Sequence, residues 1–155
     1  MSTLDAIDLK LLLALVDDPR AQIGELGERL GVARNTVQAH LRRLERSGAL
    51  RQGGRDVDLA AVGFDVVAFV TIEVTHRELD GVIAALRRQP QVLEVYEISG
   101  RGDLWCRIAA RDVHHLQNAL RAVLRIRGVI RTETSLALHE HIPHRIQPLL
   151  GGTAG

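Results

Sequence analysis

The chain is poor in several residues that commonly dominate the chemistry of a small protein. Its 155 residues include one cysteine, Cys106, so no internal disulfide can form, and a reducing compartment, the cytoplasm, is the expectation. Only four aromatics occur, Phe64, Phe69, Tyr96 and Trp105, which leaves the core to aliphatic side chains. One lysine, Lys10, stands against nineteen arginines, so nearly every cationic contact here can be made by a planar, two-pronged group. No apolar run approaches the ~20 residues of a membrane span. The acidic, amphipathic N-terminus also lacks the basic start and apolar run of a signal peptide.

Charge is unevenly placed. The whole chain carries a formal net charge of +1, yet residues 34–55 hold six arginines (34, 42, 43, 46, 51 and 55) against one acid, Glu45. This segment reads as the second half of a helix-turn-helix. Gly31 supplies the positive φ of a tight helix-ending turn, and Gly27, four residues earlier, permits a close helix crossing. Val37, Leu41 and Leu44 recur at the spacing of one helical face and are expected to pack inward. On the opposite face lie Asn35, Ala39, Arg42 and Arg46, flanked by Arg34, Thr36, Gln38 and Arg43. Amides and guanidiniums are the groups that read base edges and clamp phosphates, and Arg43, Arg46 and Arg51 are expected on phosphates. Double-stranded DNA is the partner this implies.

The rest of the chain has a two-fold internal rhythm. Leu4 to Leu15 marks a first helix, with Asp5 as N-cap and Asp8 three residues on. After a wing over 50–57 and a linker around 58–65, Val66–Val74 reads as a buried β-branched strand. Thr75 and Glu78 form a capping-box pattern before a helix with Leu79, Val82, Ile83 and Leu86 inside. Strands follow over 92–99 and 104–110, separated by Gly100-Arg101-Gly102-Asp103. Asp112 then caps a helix whose inner residues are Val113, Leu116, Leu120, Val123 and Leu124, and a last strand runs over 129–139. Strand-helix-strand, twice over, is the split βαβ arrangement, a four-stranded antiparallel sheet with both helices on one face. The expected class is α+β: a helix-turn-helix domain over 1–57, a linker over 58–65, a ferredoxin-like effector and oligomerisation domain over 66–145, and a flexible tail over 146–155. The uncovered sheet face calls for a second subunit.

This order resembles the Lrp/AsnC family of transcription regulators, also called feast/famine regulatory proteins, from residue 4 to about 140. The carriers are Leu4-Asp5-Ala6-Ile7-Asp8, Leu41-Arg42-Arg43-Leu44-Glu45 leading to Gly48, Asp58 followed by Gly63, Gly100 with Asp103, and Gly128-Val129. The resemblance implies a sequence-specific regulator on the nucleoid, built of dimers that join through their sheets and assemble into tetramers or octamers. It also implies a small effector, often an amino acid, held near the turn Gly100, Arg101, Gly102, Asp103. Asp103 would accept from an ammonium group, Tyr96, Ser99 and Leu104 would flank it, and Thr134 and Ser135 would reach it from another subunit. Two departures stand out. Ala33 replaces the Ser or Thr that usually caps the recognition helix, leaving free amides suited to a phosphate beside Arg34. Arg101-Gly102 replaces an aromatic before the aspartate, which suits a carboxylate on the ligand.

Other readings are weaker. His139 and His141, alternating on a strand, and His144 lack the cysteine or carboxylate set of a metal site. His114-His115 reads as an exposed helix start. Cys106 has no His partner near it in sequence, and the glycines lack a phosphate-loop pattern, so no cofactor and no catalytic or metal site is expected. Some proteins of this architecture resemble sirohaem decarboxylases, but residues 95–103 here contain no histidine. An architectural DNA organiser, binding by charge with little sequence preference, is the remaining alternative.

Overall fold

The computed structural model describes residues 4–50 and 57–152. In chain order these form α1 (Ala6–Asp17), α2 (Ile23–Leu30), α3 (Arg34–Arg46), β1 (Val66–Val74), α4 (Leu79–Arg87), β2 (Val92–Glu97), β3 (Leu104–Ala110), α5 (Val113–Leu124), β4 (Val129–Leu136) and α6 (Gln147–Gly152). They divide into two compact units, Met1–Arg55 with His141–Gly155, and Asp56–Glu140. The expected wing, apart from Leu50 and Val57, lies outside the described residues.

In the first unit, α1 begins with a reciprocal cap. The Asp5 carboxylate accepts the amides of Ile7 and Asp8 at 2.9 Å, and Asp8 accepts the Asp5 amide at 3.0 Å. Leu11, Leu26, Val37 and Leu44 are fully buried and make an aliphatic core shared by α1, α2 and α3. α2 ends at Gly31, in the left-handed region at φ 68°. A Cβ on Gly27 would stand 2.9 Å from the Val32 carbonyl oxygen, so the close approach lies against the turn itself. Where the sequence reads a flexible tail from 146, residues Gln147–Gly152 form α6, which contacts α1 and places Leu150 against the core.

In the second unit the sheet runs β2-β3-β1-β4, all antiparallel. Alternation decides which face is wet. Ala68, Val70, Ile72 and Val74 of β1, with Leu104, Cys106, Ile108 and Ala110 of β3, are buried beneath Val82 and Leu86 of α4 and Leu116, Ala119 and Val123 of α5. Val113 and Leu124, expected inside, are instead half-exposed or more, because α5 turns Ala119 inward between Leu116 and Val123. Asp112 caps α5 as expected, accepting the His115 amide at 2.7 Å. The capping box at Thr75 does not form. Residues His76–Glu78 make a 3-10 turn, Thr75 makes no side-chain cap, and Glu78 pairs with Arg127 at 3.2 Å. His139 and His141 lie beyond the end of β4, so strand alternation does not place them on one face.

Candidate functional site

The recognition helix α3 divides as its periodicity requires. Val37 and Leu44 are buried, Leu41 and His40 are half-buried, and Arg34, Asn35, Ala39, Arg42 and Arg46 are exposed. Thr36 and Gln38 sit half-buried at the flanks. Ala33 makes no side-chain cap, so the start of α3 presents uncapped backbone beside Arg34. Arg51 lies outside the described residues.

Arg43 is placed differently from the expectation. Its guanidinium is paired with both carboxylates of the α1 cap, Asp5 and Asp8, rather than projecting freely beside Arg42. His40 Nδ1 lies 2.8 Å from Asp8 Oδ1, where the Nδ1–H tautomer donates. Asp8 is the one buried charged residue among those described, and all its partners are cationic or donors. The oxygens of Asp5 and Asp8 and the His40 nitrogen lie within 4.8 Å of one another, a spacing that could hold a metal ion, but the guanidinium of Arg43 fills that position.

Burial pushes the Asp8 carboxyl upward, but hydrogen bonds from Arg43, His40 and the Asp5 amide outweigh it and bring the group down from 3.8 to about 2. Arg43, held by Asp8 and then Asp5, is raised above its ordinary value. Because the folded Asp8 value is depressed, its contribution to stability is complete above 3.8 and is lost as the pH falls toward about 2. An acid titration followed by helical circular dichroism should therefore show Asp8→Asn losing part of the wild-type dependence across that window. Superimposable difference curves would contradict this role for Asp8.

The loop between β2 and β3 is built around Asp103. Its amide donates to the Ile72 carbonyl at 2.9 Å, its carbonyl accepts from Ile98 at 2.9 Å, and Oδ2 accepts the Val74 amide at 2.8 Å. The last contact satisfies the Val74 amide on the β3 side of β1, just past the final β1–β3 pair, Ile72 with Leu104. Asp103 thus staples the loop to the sheet, and one of its carboxylate oxygens is already engaged. Gly102, at φ 79°, lies so close to Thr71 that a Cβ would meet Thr71 Cγ2 at 2.4 Å.

Beside this loop a shallow depression is lined by Thr71, Glu73, Arg101, Gly102, Arg131 and Glu133, with room for little more than a water molecule. Glu73 and Arg131 pair across it at 3.1 Å. The four strand residues were missed by motif reading, although they follow from period-two alternation on the open faces of β1 and β4. Of the residues expected around the loop, Ser99, Gly100 and Arg101 are exposed. Leu104 is fully buried in the core and cannot line a ligand site. Thr134 pairs with Val70 and Ser135 with Phe69, so these neighbours point to opposite faces of the sheet.

Tyr96 belongs to a different feature. On the helix-free face, Phe69 and Trp105 stack with centroids 5.4 Å apart at 17°, and Tyr96 adjoins Trp105 at 5.8 Å. Three of the four aromatics thus form one row across the open sheet face. Cys106, on the other side of β3, is buried, and burial pushes its thiol up to about 11, which makes it a core residue rather than a nucleophile.

Comparison with known proteins bears on both units. Residues 4–51 match the model of a winged helix-turn-helix DNA-binding family, and residues 67–147 that of the Lrp/AsnC ligand binding domain. The transcriptional regulator AldR of Mycolicibacterium smegmatis is 36% identical over 143 residues, covering 90% of this chain and 83% of that protein. FL11 of Pyrococcus horikoshii is 30% identical, covering 89% of this chain and 91% of FL11. Among solved structures, Escherichia coli AsnC superposes with a TM-score of 0.88 at 25% identity, covering 95% of this chain and all of that one. A Neisseria meningitidis transcriptional regulator in complex with L-Met gives 0.84 at 26% identity, covering 92% of this chain and 94% of that one. Among the described residues no helix is long and apolar enough to cross a membrane.

Proposed function

Because the chain belongs to the Lrp/AsnC family of helix-turn-helix transcription regulators, which are not enzymes, we propose that it is a sequence-specific regulator acting as a sheet-joined dimer under the control of an amino-acid effector. The observation that carries the DNA half is the division of α3, with Asn35, Ala39, Arg42 and Arg46 exposed opposite buried Val37 and Leu44. Asn35, Gln38, Ala39 and Arg42 read base edges in the major groove, while Arg34 and Arg46 hold phosphates and the uncapped start of α3 receives another. A two-fold dimer presents two such helices, so half-sites recur about one helical turn apart or a multiple of it.

The effector half rests on three supports. One is the stapled loop. Another is the mixed-charge depression beside it, which offers Arg101 to a carboxylate and Glu133 to an ammonium. The third is the bound L-Met of the Neisseria relative. Since the depression in one chain holds little more than a water molecule, a neighbouring subunit completes the site. Binding there shifts DNA affinity only through different affinities for two assembly states.

Sequencing the genomic fragments retained by the purified protein, with and without each amino acid, tests this reading. Enrichment of a few palindromic sites, altered by one amino acid, is the expected result; uniform retention would contradict it. Arg42→Ala should weaken binding to the enriched site by ~1–3 kcal/mol and relax preference at one base position. An unchanged preference in a competition assay would remove Arg42 from the base-reading set.

A further inference from the structure

The helix-turn-helix unit contains a charged cluster that neither base reading nor effector binding uses. Arg43 lies one residue after Arg42 on the DNA-reading helix, and its side chain is 45% exposed, within reach of solvent and of a phosphate. Its guanidinium is nevertheless taken by Asp5 and Asp8, which come from the first turn of α1, more than thirty residues away in sequence. Asp8 is fully buried and cannot follow Arg43 outward, because it also accepts His40 and the Asp5 amide. Asp5 is fixed by its two cap bonds to Ile7 and Asp8. Two immobile carboxylates thus flank one flexible cation, and the cation is the member that would have to leave.

We propose that Asp5 and Asp8 hold Arg43 off the DNA backbone, so that Asp8 is a positioning residue that sets how much of the recognition helix's charge DNA meets. This rests on α3 being the DNA-reading helix. With Arg42 on the bases, the charge available to phosphates from described α3 residues is then Arg34 and Arg46, and Arg43 is a reserve that any loss of the two carboxylates releases. Each phosphate contact strengthens binding to every duplex alike, so holding Arg43 back lowers affinity for any duplex and leaves the sequence preference to the base contacts.

The test is the dependence of DNA affinity on salt for wild type, Arg43→Gln, the double variant Asp5→Asn/Asp8→Asn, and the triple variant combining all three changes. Asparagine retains the N-cap acceptor at position 5 and one acceptor at position 8, so the start of α1 is preserved. Arg43→Gln should leave the slope of log affinity against log salt at its wild-type value. The double variant should steepen it by about 0.9 per recognition helix, one added phosphate contact, and bind scrambled DNA more tightly. The triple variant should return to the wild-type slope, which separates release of Arg43 from the mere removal of negative charge.

A shallower slope for Arg43→Gln would overturn the proposal, because Arg43 would already be on a phosphate. An unchanged double variant would overturn it too, as would a triple variant that stays steep. If Arg43→Gln fails to fold, the double and triple variants decide. Failure of wild type to bind any duplex would instead remove the underlying DNA-binding reading, and so is distinguishable.

Discussion

Trp105→Ala is expected to turn the proposed sheet-joined dimer into monomers and to lower DNA affinity by about a hundredfold or more. Trp105 is the middle of the aromatic row on the helix-free sheet face, stacked on Phe69 at 5.4 Å and adjoining Tyr96 at 5.8 Å. Aromatic anchors at the centre of an interface typically contribute at least ~2 kcal/mol, roughly thirtyfold in dissociation constant. The fold itself should survive, because Leu104 and Cys106, the neighbours that build the core, point to the other face. Loss of the dimer removes the second DNA-reading helix from the same molecule, and the affinity contributed by two linked heads goes with it. Light scattering over a range of protein concentrations reads the first effect and a duplex titration the second. A variant with the wild-type mass distribution would show that the aromatic row is not the dimer interface.

Gly102→Ala is expected to abolish the effector response while leaving effector-free DNA binding in place. The backbone at Gly102 has φ 79°, which costs an L-residue about 1 kcal/mol or more, and the new Cβ would press on Thr71 Cγ2 at 2.4 Å. Thr71 is β-branched and sits mid-strand, paired with Trp105 on one side and Glu133 on the other, so it has little room to yield. The loop must move instead, and Asp103 would then be drawn away from the Val74 amide it accepts at 2.8 Å. Faster hydrogen exchange at the Val74 amide, together with loss of the calorimetric signal across an amino-acid panel, is the expected pair of results. Unchanged ligand binding would place the effector elsewhere on the chain.

The features legible in the sequence were those set by local periodicity. The inward row of α3, the alternation of β1, the cap at Asp5 and the missing cap at Ala33 all depend on residues a few positions apart, and each has the structure its spacing requires. What escaped depended on long-range partners. Arg43 reads as a free cation on a helical wheel, because nothing local reveals that Asp5 and Asp8 arrive beside it. Asp103 reads as an exposed acid in a turn, because its partner Val74 is 29 residues away and the Val74 amide is left over only where the β1–β3 pairing ends at Ile72 and Leu104. Helix α6 has two glycines, a proline and no apolar repeat, so its helicity comes from the surface it meets on α1 rather than from its own residues. Leu104 reads as flanking the loop because it follows it directly, whereas strand alternation turns it into the core; Thr134 and Ser135, expected to reach the site from another subunit, point to opposite faces of β4.

Discrimination of one DNA sequence from another through the exposed face of α3 is the property on which the proposed function stands. It is tested most directly by measuring affinity for a genomically enriched palindrome and for a scrambled duplex of equal length, from about 50 to 200 mM salt. Two separated lines are expected, the palindrome bound at least ~10³-fold more tightly throughout, with Arg42→Ala narrowing the gap. Lines that coincide at every salt concentration would contradict it and leave a protein that binds DNA by charge alone.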